Sequence, residues 1–480
     1  MADPQTETSR DETEGVVERR VPLPKFQVFI ILLIQFAEPI TALVIYPFVV
    51  QLVRDTGVTG GEETKTGFYA GILESAFFLA ESLTVFQFGR LSDIYGRRPV
   101  LLLGPLGLAI SMLGFGLSKT FWTLFLFRCI QGACNGNIGV TKTVINDIAH
   151  PTNIADIFSL GPLVWCVAAT LAPLIGGLLS NPAAKWPNTF GKIQILRDHP
   201  YFLPCAIAGS IAFMAFAIAF VGLKESSRSI LARRRKSAKV PAETDPLLST
   251  ATQEDAPHET EDGPPPMRDL LIRPVLIALT THGLLHFCNM SNDALVPLFF
   301  ATPISLGGLG LKPSAIGLIL SISGISNAVV QALFGGRIIR RFGPRRVFIA
   351  GFCGLAVEFA MYPLIRCLAQ RAGRVDAVVG IALASQLSCT FVIYFSFAST
   401  GLFIMDAAPS RASLGSVNGL SQMVGTVLRS LAPSFASSLF ALSAEHNLVG
   451  GNLVYIVLVF AALGAARCAA LLPHTLDLKK

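Results

Sequence analysis

Long apolar runs alternate with short polar connectors along almost the whole chain. From the N-terminus the runs occupy residues 26–53, 66–88, 100–118, 121–147, 157–180 and 201–223. After a polar stretch six more follow, at 272–300, 313–335, 345–367, 376–404, 412–442 and 451–472. Each run, coiled as a helix, is long enough to cross about 30 Å of hydrocarbon. The pattern predicts an all-α membrane protein with twelve transmembrane helices in two pseudo-symmetric six-helix bundles. The expected organisation is a disordered cytoplasmic tail (1–25), a first bundle (26–224), a cytoplasmic linker (225–268), a second bundle (269–473) and a cytoplasmic tail (474–480).

The connector between the second and third runs reads Gly89-Arg90-Leu91-Ser92-Asp93-Ile94-Tyr95-Gly96-Arg97-Arg98-Pro99. A short basic knot between two apolar runs marks a tight cytoplasmic turn, because Arg-rich loops stay on that side. Pro99 suits the first turn of the next helix. The pattern returns 247 residues later as Gly336-Arg337-Ile338-Ile339-Arg340-Arg341-Phe342-Gly343-Pro344-Arg345-Arg346. Two such turns, each the second of its half, indicate an internal duplication of the kind that builds many transporters. The first copy resembles the loop signature of the major facilitator superfamily, G-x-x-x-D-x-x-G-R-[RK], and the second its degenerate partner, with Arg340 where the acid would stand.

Composition narrows the alternatives. Of 480 residues 52% are hydrophobic and 14% charged, and the mean hydropathy is +0.58, values foreign to a soluble domain. The net charge of +7 comes from Lys and Arg gathered in connectors and tails, where they orient the chain and meet lipid headgroups; no nucleic-acid surface is read from it. Nine cysteines form no CxxC pair and read as small packing residues. Residues 1–18 are acidic and polar, so no cleaved signal peptide is expected. Arg366, Arg371 and Arg374 fall on the outer side and oppose the general charge bias. The linker carries Arg233-Arg234-Arg235-Lys236, Pro264-Pro265-Pro266, and Glu243-Thr244-Asp245-Pro246-Leu247-Leu248. The last matches an acidic dileucine pattern, with Glu243, Leu247 and Leu248 as its key residues and a sorting adaptor as its partner. No phosphate-binding loop GxxxxGK[ST] is present. His150 and Asp156 only superficially echo an acyltransferase H-x4-D, and no other nucleophile–base set appears, so an enzyme is not expected.

Polar residues inside the runs are the candidate chemistry, since charge in a bilayer is costly and usually functional or paired. Antiport needs a carboxyl that exchanges a proton near ambient pH, and burial favours that behaviour. The acids are Glu38 (mid-span beside Gln35 and Pro39), Glu74, Glu81, Asp293 and Glu358, the last either a coupling acid or simply paired with a neighbouring helix. Arg128 and Gln131, with Asn135 beyond them, occupy the fourth run; Arg128 serves either helix packing or a relay of proton or substrate charge. In the seventh run His282, His286, Asn289 and Asp293 recur at spacings of four, three and four, one polar stripe on an apolar helix. The stripe allows proton or substrate contact, plain interhelical hydrogen bonding, or a weak metal site at His282 and His286; no metal and no cofactor is expected.

The resemblance adds roles. Arg128-x-x-Gln131-Gly132-x-x-x-Gly136 is similar to the family's second signature. Ala172-Pro173-Leu174-Ile175-Gly176-Gly177 resembles the antiporter signature G-P-x-x-G-G, with Ala172 for the first glycine, and implies a bendable helix hinged at Pro173, Gly176 and Gly177. Asp147 and Asp406 end the fourth and tenth runs. By resemblance Asp147 meets Arg97 and Asp93 faces the start of run eleven, a gating set that includes Gly89, Gly96, Arg98, Gly336, Gly343 and Arg345 and favours the outward-open state. Ala37-Glu38-Pro39-Ile40, Asn135 to Val140, Pro200-Tyr201-Phe202-Leu203-Pro204 and Leu306 to Gly310 resemble fungal drug:proton antiporters, a group similar to plant zinc-induced-facilitator-like transporters. This implies a monomeric secondary transporter in the plasma or vacuolar membrane, exporting or sequestering small amphipathic organic compounds against protons. A metal or metal-chelate transporter and a transporter-like receptor are the alternatives.

Overall fold

The computed structural model describes residues 24–148, 154–226, 271–409 and 413–473. Among them the regular structure is helical. The first half comprises α1 (Lys25–Leu43), α2 (Val49–Asp55), α3 (Glu63–Tyr95), α4 (Arg97–Leu117), α5 (Phe121–Cys134), α6 (Ile138–Ile148), α7 (Ile154–Leu179), the short α8 (Pro182–Lys185) and α9 (Gln194–Asp198), and α10 (Phe202–Gly222). The second half comprises α11 (Arg273–Ala301), α12 (Pro313–Phe342), α13 (Pro344–Ala372), α14 (Ala377–Ala407), α15 (Leu414–Glu445) and α16 (Leu453–Ala469). Every expected run is helical, and among the described residues eight helices are individually long and apolar enough to cross a membrane.

Two runs are interrupted, which their hydropathy did not announce. The first splits at residues 44–48 into α1 and α2, shortly after Pro39. The fourth splits at a 3-10 turn, Asn135–Asn137, into α5 and α6. There the Thr84 hydroxyl donates to the Ala133 carbonyl at 2.9 Å, so the break leaves its backbone partnered from α3. Gly132 and Gly136, one turn apart, lie so close to α3 that a Cβ would stand 2.0 Å from the Phe77 carbonyl and 2.8 Å from the Thr84 hydroxyl. Small residues at this spacing let membrane helices touch backbone to backbone.

The exposed apolar residues of α12 (Ile322, Ile325, Val329 and Leu333) lie along one outward stripe, the reverse of a soluble helix. The halves meet mainly through two crossings, α3 with α15 and α7 with α12. The second span of each half thus packs on the fifth span of the other. Each basic turn joins its helices through one glycine of positive φ, Gly96 (+106°) and Gly343 (+80°), a conformation that L side chains resist. These turns mark one end of the molecule, here the basic end.

Contact between the halves is concentrated at the far end. A Cβ on Gly71 would meet Ser437 Oγ at 1.6 Å, and one on Gly177 would meet the Pro313 carbonyl at 2.6 Å. Ser75 Oγ accepts from the Ser434 amide at 2.9 Å, Ser321 Oγ donates to the Thr170 carbonyl at 2.9 Å, and Arg54 Nη2 donates to the Ala301 carbonyl at 3.2 Å. At the basic end, a Cβ on Gly89, Gly161 or Gly419 would meet no described atom within 4 Å. The described state is sealed at the far end. The Arg366 guanidinium that opposed the charge bias packs there over Gly307 and Gly451, tying two loops together.

Candidate functional site

Where α1 stops inside the bundle, its last four carbonyls need donors. Ile40 and Leu43 receive main-chain amides, from Val44 and Tyr46, each at 3.2 Å. The Thr41 carbonyl accepts from Gln131 Nε2 at 3.0 Å, and the Ala42 carbonyl from Arg128 Nη2 at 3.2 Å. Arg128 also donates to Gln131 Oε1 at 2.7 Å and lies 4.7 Å above the Phe77 ring. The positive side chain meets the negative end of the α1 dipole. Gly176 of α7 abuts the Val44 carbonyl in the same break, and Gly177 abuts Gly317. The stretch Pro173–Gly177 is a contact plate at the far seal in this state. Glu38 and Gln35 are on α1, closer to the basic end; Glu38 is buried and Gln35 Oε1 has no hydrogen-bond partner.

Between the halves lies a cavity of about 130 Å³, bordered by Tyr46 and Trp165 from the first half and Asn289, Asp293, Glu358 and Tyr394 from the second. Its carboxyls are positioned by asparagines of α11. Asn289 Nδ2 donates to Asp293 Oδ2 at 2.8 Å, and Asn292 Nδ2 donates to Glu358 Oε1 at 2.9 Å. The Tyr362 hydroxyl donates to Asn292 Oδ1 at 2.9 Å and fixes which face of that amide meets Glu358. Tyr362 itself is stacked on Tyr455 at 4.9 Å. Glu358 Oε2 and Asn327 Oδ1, both on cavity-lining residues, are buried with no partner. This leaves an acidic face with unfilled acceptors between aromatic walls.

The seventh-run stripe does not act as one unit. Asn289 and Asp293 face the cavity, whereas His282 and His286 stand 4.5 Å apart, ring to ring, against Gly425 of α15, with His286 also on Phe397. Among the described residues no group of three or more His, Cys, Asp or Glu could hold a metal ion. Glu81 is elsewhere again. It reaches across the seam to Arg429 of α15, Nη2 to Oε1 3.6 Å, with Asn135 beside it. Glu74 is buried on α3, near enough to Arg128 and Asp293 to feel both charges.

At the basic end Arg97 Nε lies 3.4 Å from Asp147 Oδ2. The pair lies within one half of the molecule. Arg97 also donates to Ser92 Oγ at 2.6 Å, and Arg98 to the Phe220 carbonyl at 2.6 Å. Glu225, the first residue of the expected linker, accepts from the backbone amides of Arg97 at 2.8 Å and Arg98 at 3.1 Å. It therefore caps α4, whose own N-cap, Gly96, has no side chain to offer. In the second half Arg345 donates to the Ala470 carbonyl, Arg340 lies over Gly336, and Asp406 is partly buried near the end of α14. The side chain of Asp93, and Glu243, Leu247 and Leu248, lie outside the described residues.

Sequence reasoning passed over four participants. Arg429 carried the same signal as Arg128, a lone Arg in an apolar run. Asn292 adjoins Asp293 yet is off the counted spacing. Trp165 and Tyr394 look like ordinary aromatics of membrane helices, and only the tertiary arrangement selects them.

Curated relatives agree over most of the chain. It is 31% identical to the major facilitator-type transporter psiT2 of Psilocybe cyanescens, covering 96% of this chain and 93% of that one. It is 28% identical to the major facilitator superfamily multidrug transporter mfsB of Aspergillus fumigatus (88% and 80% covered) and 27% identical to ZINC INDUCED FACILITATOR 1 of Arabidopsis thaliana (91% and 89%). Among solved structures, a bacterial homologue of the human lysosomal transporter Spinster aligns with TM-score 0.66 at 14% identity, over 94% of this chain and 97% of that one. With the family model for the Major Facilitator Superfamily matching residues 31–433, the duplicated basic turns and the paired bundles have one explanation: the chain belongs to that superfamily and is a multi-pass membrane transporter.

Proposed function

We propose that the protein is a proton-coupled antiporter of small amphipathic organic cations, working by alternating access of the two bundles around the central cavity. One observation carries this reading: Asp293 and Glu358 border the same cavity as Tyr46, Trp165 and Tyr394. A buried carboxylate needs a compensating charge, which a proton or a substrate ammonium group supplies equally well. Competition of the two for one acidic site is the simplest form of antiport. The aromatic walls suit an apolar body and the face of a cation. Names such as multidrug transporter among the relatives support export as the direction. With the basic turns in the cytoplasm, the far seal is the outer gate, and Arg128 holds the broken α1 in place while the gates alternate. We place the protein in the plasma or vacuolar membrane, with the dileucine at Glu243, Leu247 and Leu248 as the sorting signal.

The test is flux into liposomes that contain purified protein and a pH-sensitive dye, with an imposed proton gradient. Challenge with cationic amphipaths is expected to move protons, and Asp293→Asn or Glu358→Gln to reduce that movement sharply. Flux driven by organic acids and not by cations would overturn the substrate class. Zinc-driven flux lost on replacing His282 and His286 would establish the metal reading instead. Saturable binding with no flux in folded protein would establish a receptor.

A further inference from the structure

The seam between α3 and α15 contains a buried charge pair away from the cavity. Glu81 is 1% exposed and Asn135 fully buried, and Arg429 Nη2 stands 3.6 Å from Glu81 Oε1. That distance is a charge contact and not a hydrogen bond. Asn135 lies within side-chain hydrogen-bonding reach of Glu81, yet neither carboxylate oxygen of Glu81, neither amide atom of Asn135 nor Arg429 Nε makes a hydrogen bond of regular geometry. Five buried polar atoms without a regular hydrogen bond in one place call for an explanation of their own. Arg429 has alternatives to Glu81, since it donates to Thr426 Oγ1 at 3.2 Å and lies 5.5 Å from the Phe78 ring. Glu81 has none of comparable strength.

The two charges belong to different bundles. Parting α3 from α15 removes the one positive charge among the described residues that compensates Glu81. An uncompensated buried carboxylate is strongly disfavoured, so the bundles separate readily only when Glu81 is neutral. No other described charge substitutes. Arg128 on α5 is turned towards the end of α1, and Glu74, two turns along α3, faces Arg128 and Asp293. His282 and His286 on α11 meet α15 at Gly425, one turn from Arg429. Arg54 on α2 is paired with Glu63 at 2.7 Å, and Arg97 on α4 with Asp147 at the basic end.

We propose that Glu81, Asn135 and Arg429 form a second proton site, in the seam and not in the cavity, and that a proton on Glu81 releases the far end to open. The inference takes from the transport reading only the motion of the bundles. It needs neither a substrate nor the roles given to Asp293 and Glu358.

Hydrogen–deuterium exchange of the full-length protein in lipid nanodiscs tests it without any transport assay. The reporters are peptides covering residues 63–78 and 431–445, with uptake corrected for the intrinsic pH dependence of exchange. In the wild type, lowering the pH is expected to speed exchange of both segments several-fold. Glu81→Gln should exchange at the fast rate at every pH, and Glu81→Asp should keep the pH response. Ser75→Ala, which removes the Ser434 hydrogen bond, should loosen the seam yet leave the pH response intact. The charge swap Glu81→Arg with Arg429→Glu should regain protection that Glu81→Arg alone loses. A Glu81→Gln protein as protected as the wild type, or one with an undiminished pH response, would overturn the proposal. An unchanged melting temperature identifies variants that remain folded.

Discussion

Each half of the molecule buries a polar cluster, and the two differ in what they touch. In the first half Arg128 and Gln131 direct their donors at the carbonyls of Thr41 and Ala42, where α1 ends. In the second, Asn289 and Asn292 direct theirs at the carboxylates of Asp293 and Glu358, which border the cavity. Both look alike in sequence, as expensive polar residues in an apolar run. The partner separates them. A side chain committed to main-chain carbonyls fixes the fold, whereas a carboxyl with an unfilled oxygen at a cavity wall can exchange its companion.

The largest effect that would sharpen the contrast is on stability. Arg128→Leu leaves the Ala42 carbonyl and Gln131 Oε1 without a buried donor and should cost about 1–3 kcal/mol for each. Thermal melting in detergent checks it, and Arg128→Lys should recover part of the loss. A melting point unchanged by Arg128→Leu would break the comparison, because the first cluster would no longer be structural. Asp293→Asn predicts the opposite profile. Its melting temperature should stay within a few degrees of the wild type while proton-coupled flux falls about 30-fold, roughly 2 kcal/mol in barrier. If Asp293→Asn instead melted early, the carboxyl would belong with Arg128.

The far seal is the next test, since both clusters depend on how the bundles meet. Gly71→Val drives a side chain into Ser437 and the Pro433 carbonyl. It should disfavour the sealed state by about 1–3 kcal/mol, read as faster labelling, from the far side, of cysteines introduced in α3. Melting of the separate bundles should change little.

The division into bundles was legible because apolar runs of helical length are a strong, local signal, and the duplication because a glycine of positive φ needs the same residue in each copy. The breaks at residues 44–48 and at Asn135–Asn137 were not legible. Their polar atoms are satisfied by α5 and α3, segments distant in sequence, so nothing local marks the interruption. The histidine stripe illustrates the converse. Spacing placed four residues on one side of α11 but could not say that its two ends would meet different neighbours. Glu358 was noticed both as a coupling acid and as one paired with a neighbouring helix, but its partner Asn292 lies 66 residues earlier and could not be named. Arg429 was available to the same reasoning that found Arg128 and needed only to be weighed.

The smallest effect concerns the boundary that sequence drew at residue 225. Composition changes there, so Glu225 read as the start of a linker, yet its carboxylate receives the first two amides of α4. These are orphan donors at the positive end of the helix dipole, and Gly96 cannot serve them. Glu225→Ala should therefore cost about 1 kcal/mol, a shift of a few degrees or less in a chain of this size. Glu225→Gln, which keeps an acceptor but not the charge, should cost less. Added salt should narrow the gap between wild type and Glu225→Gln, because a half-exposed charge–dipole contact is screened. A Glu225→Ala protein that melts with the wild type would return the residue to the linker. Loosening that spread to Asp147 and Arg97 would instead make Glu225 part of the basic-turn assembly, which it joins through Arg97 and through Ser226, whose hydroxyl donates to Asp147 at 3.4 Å.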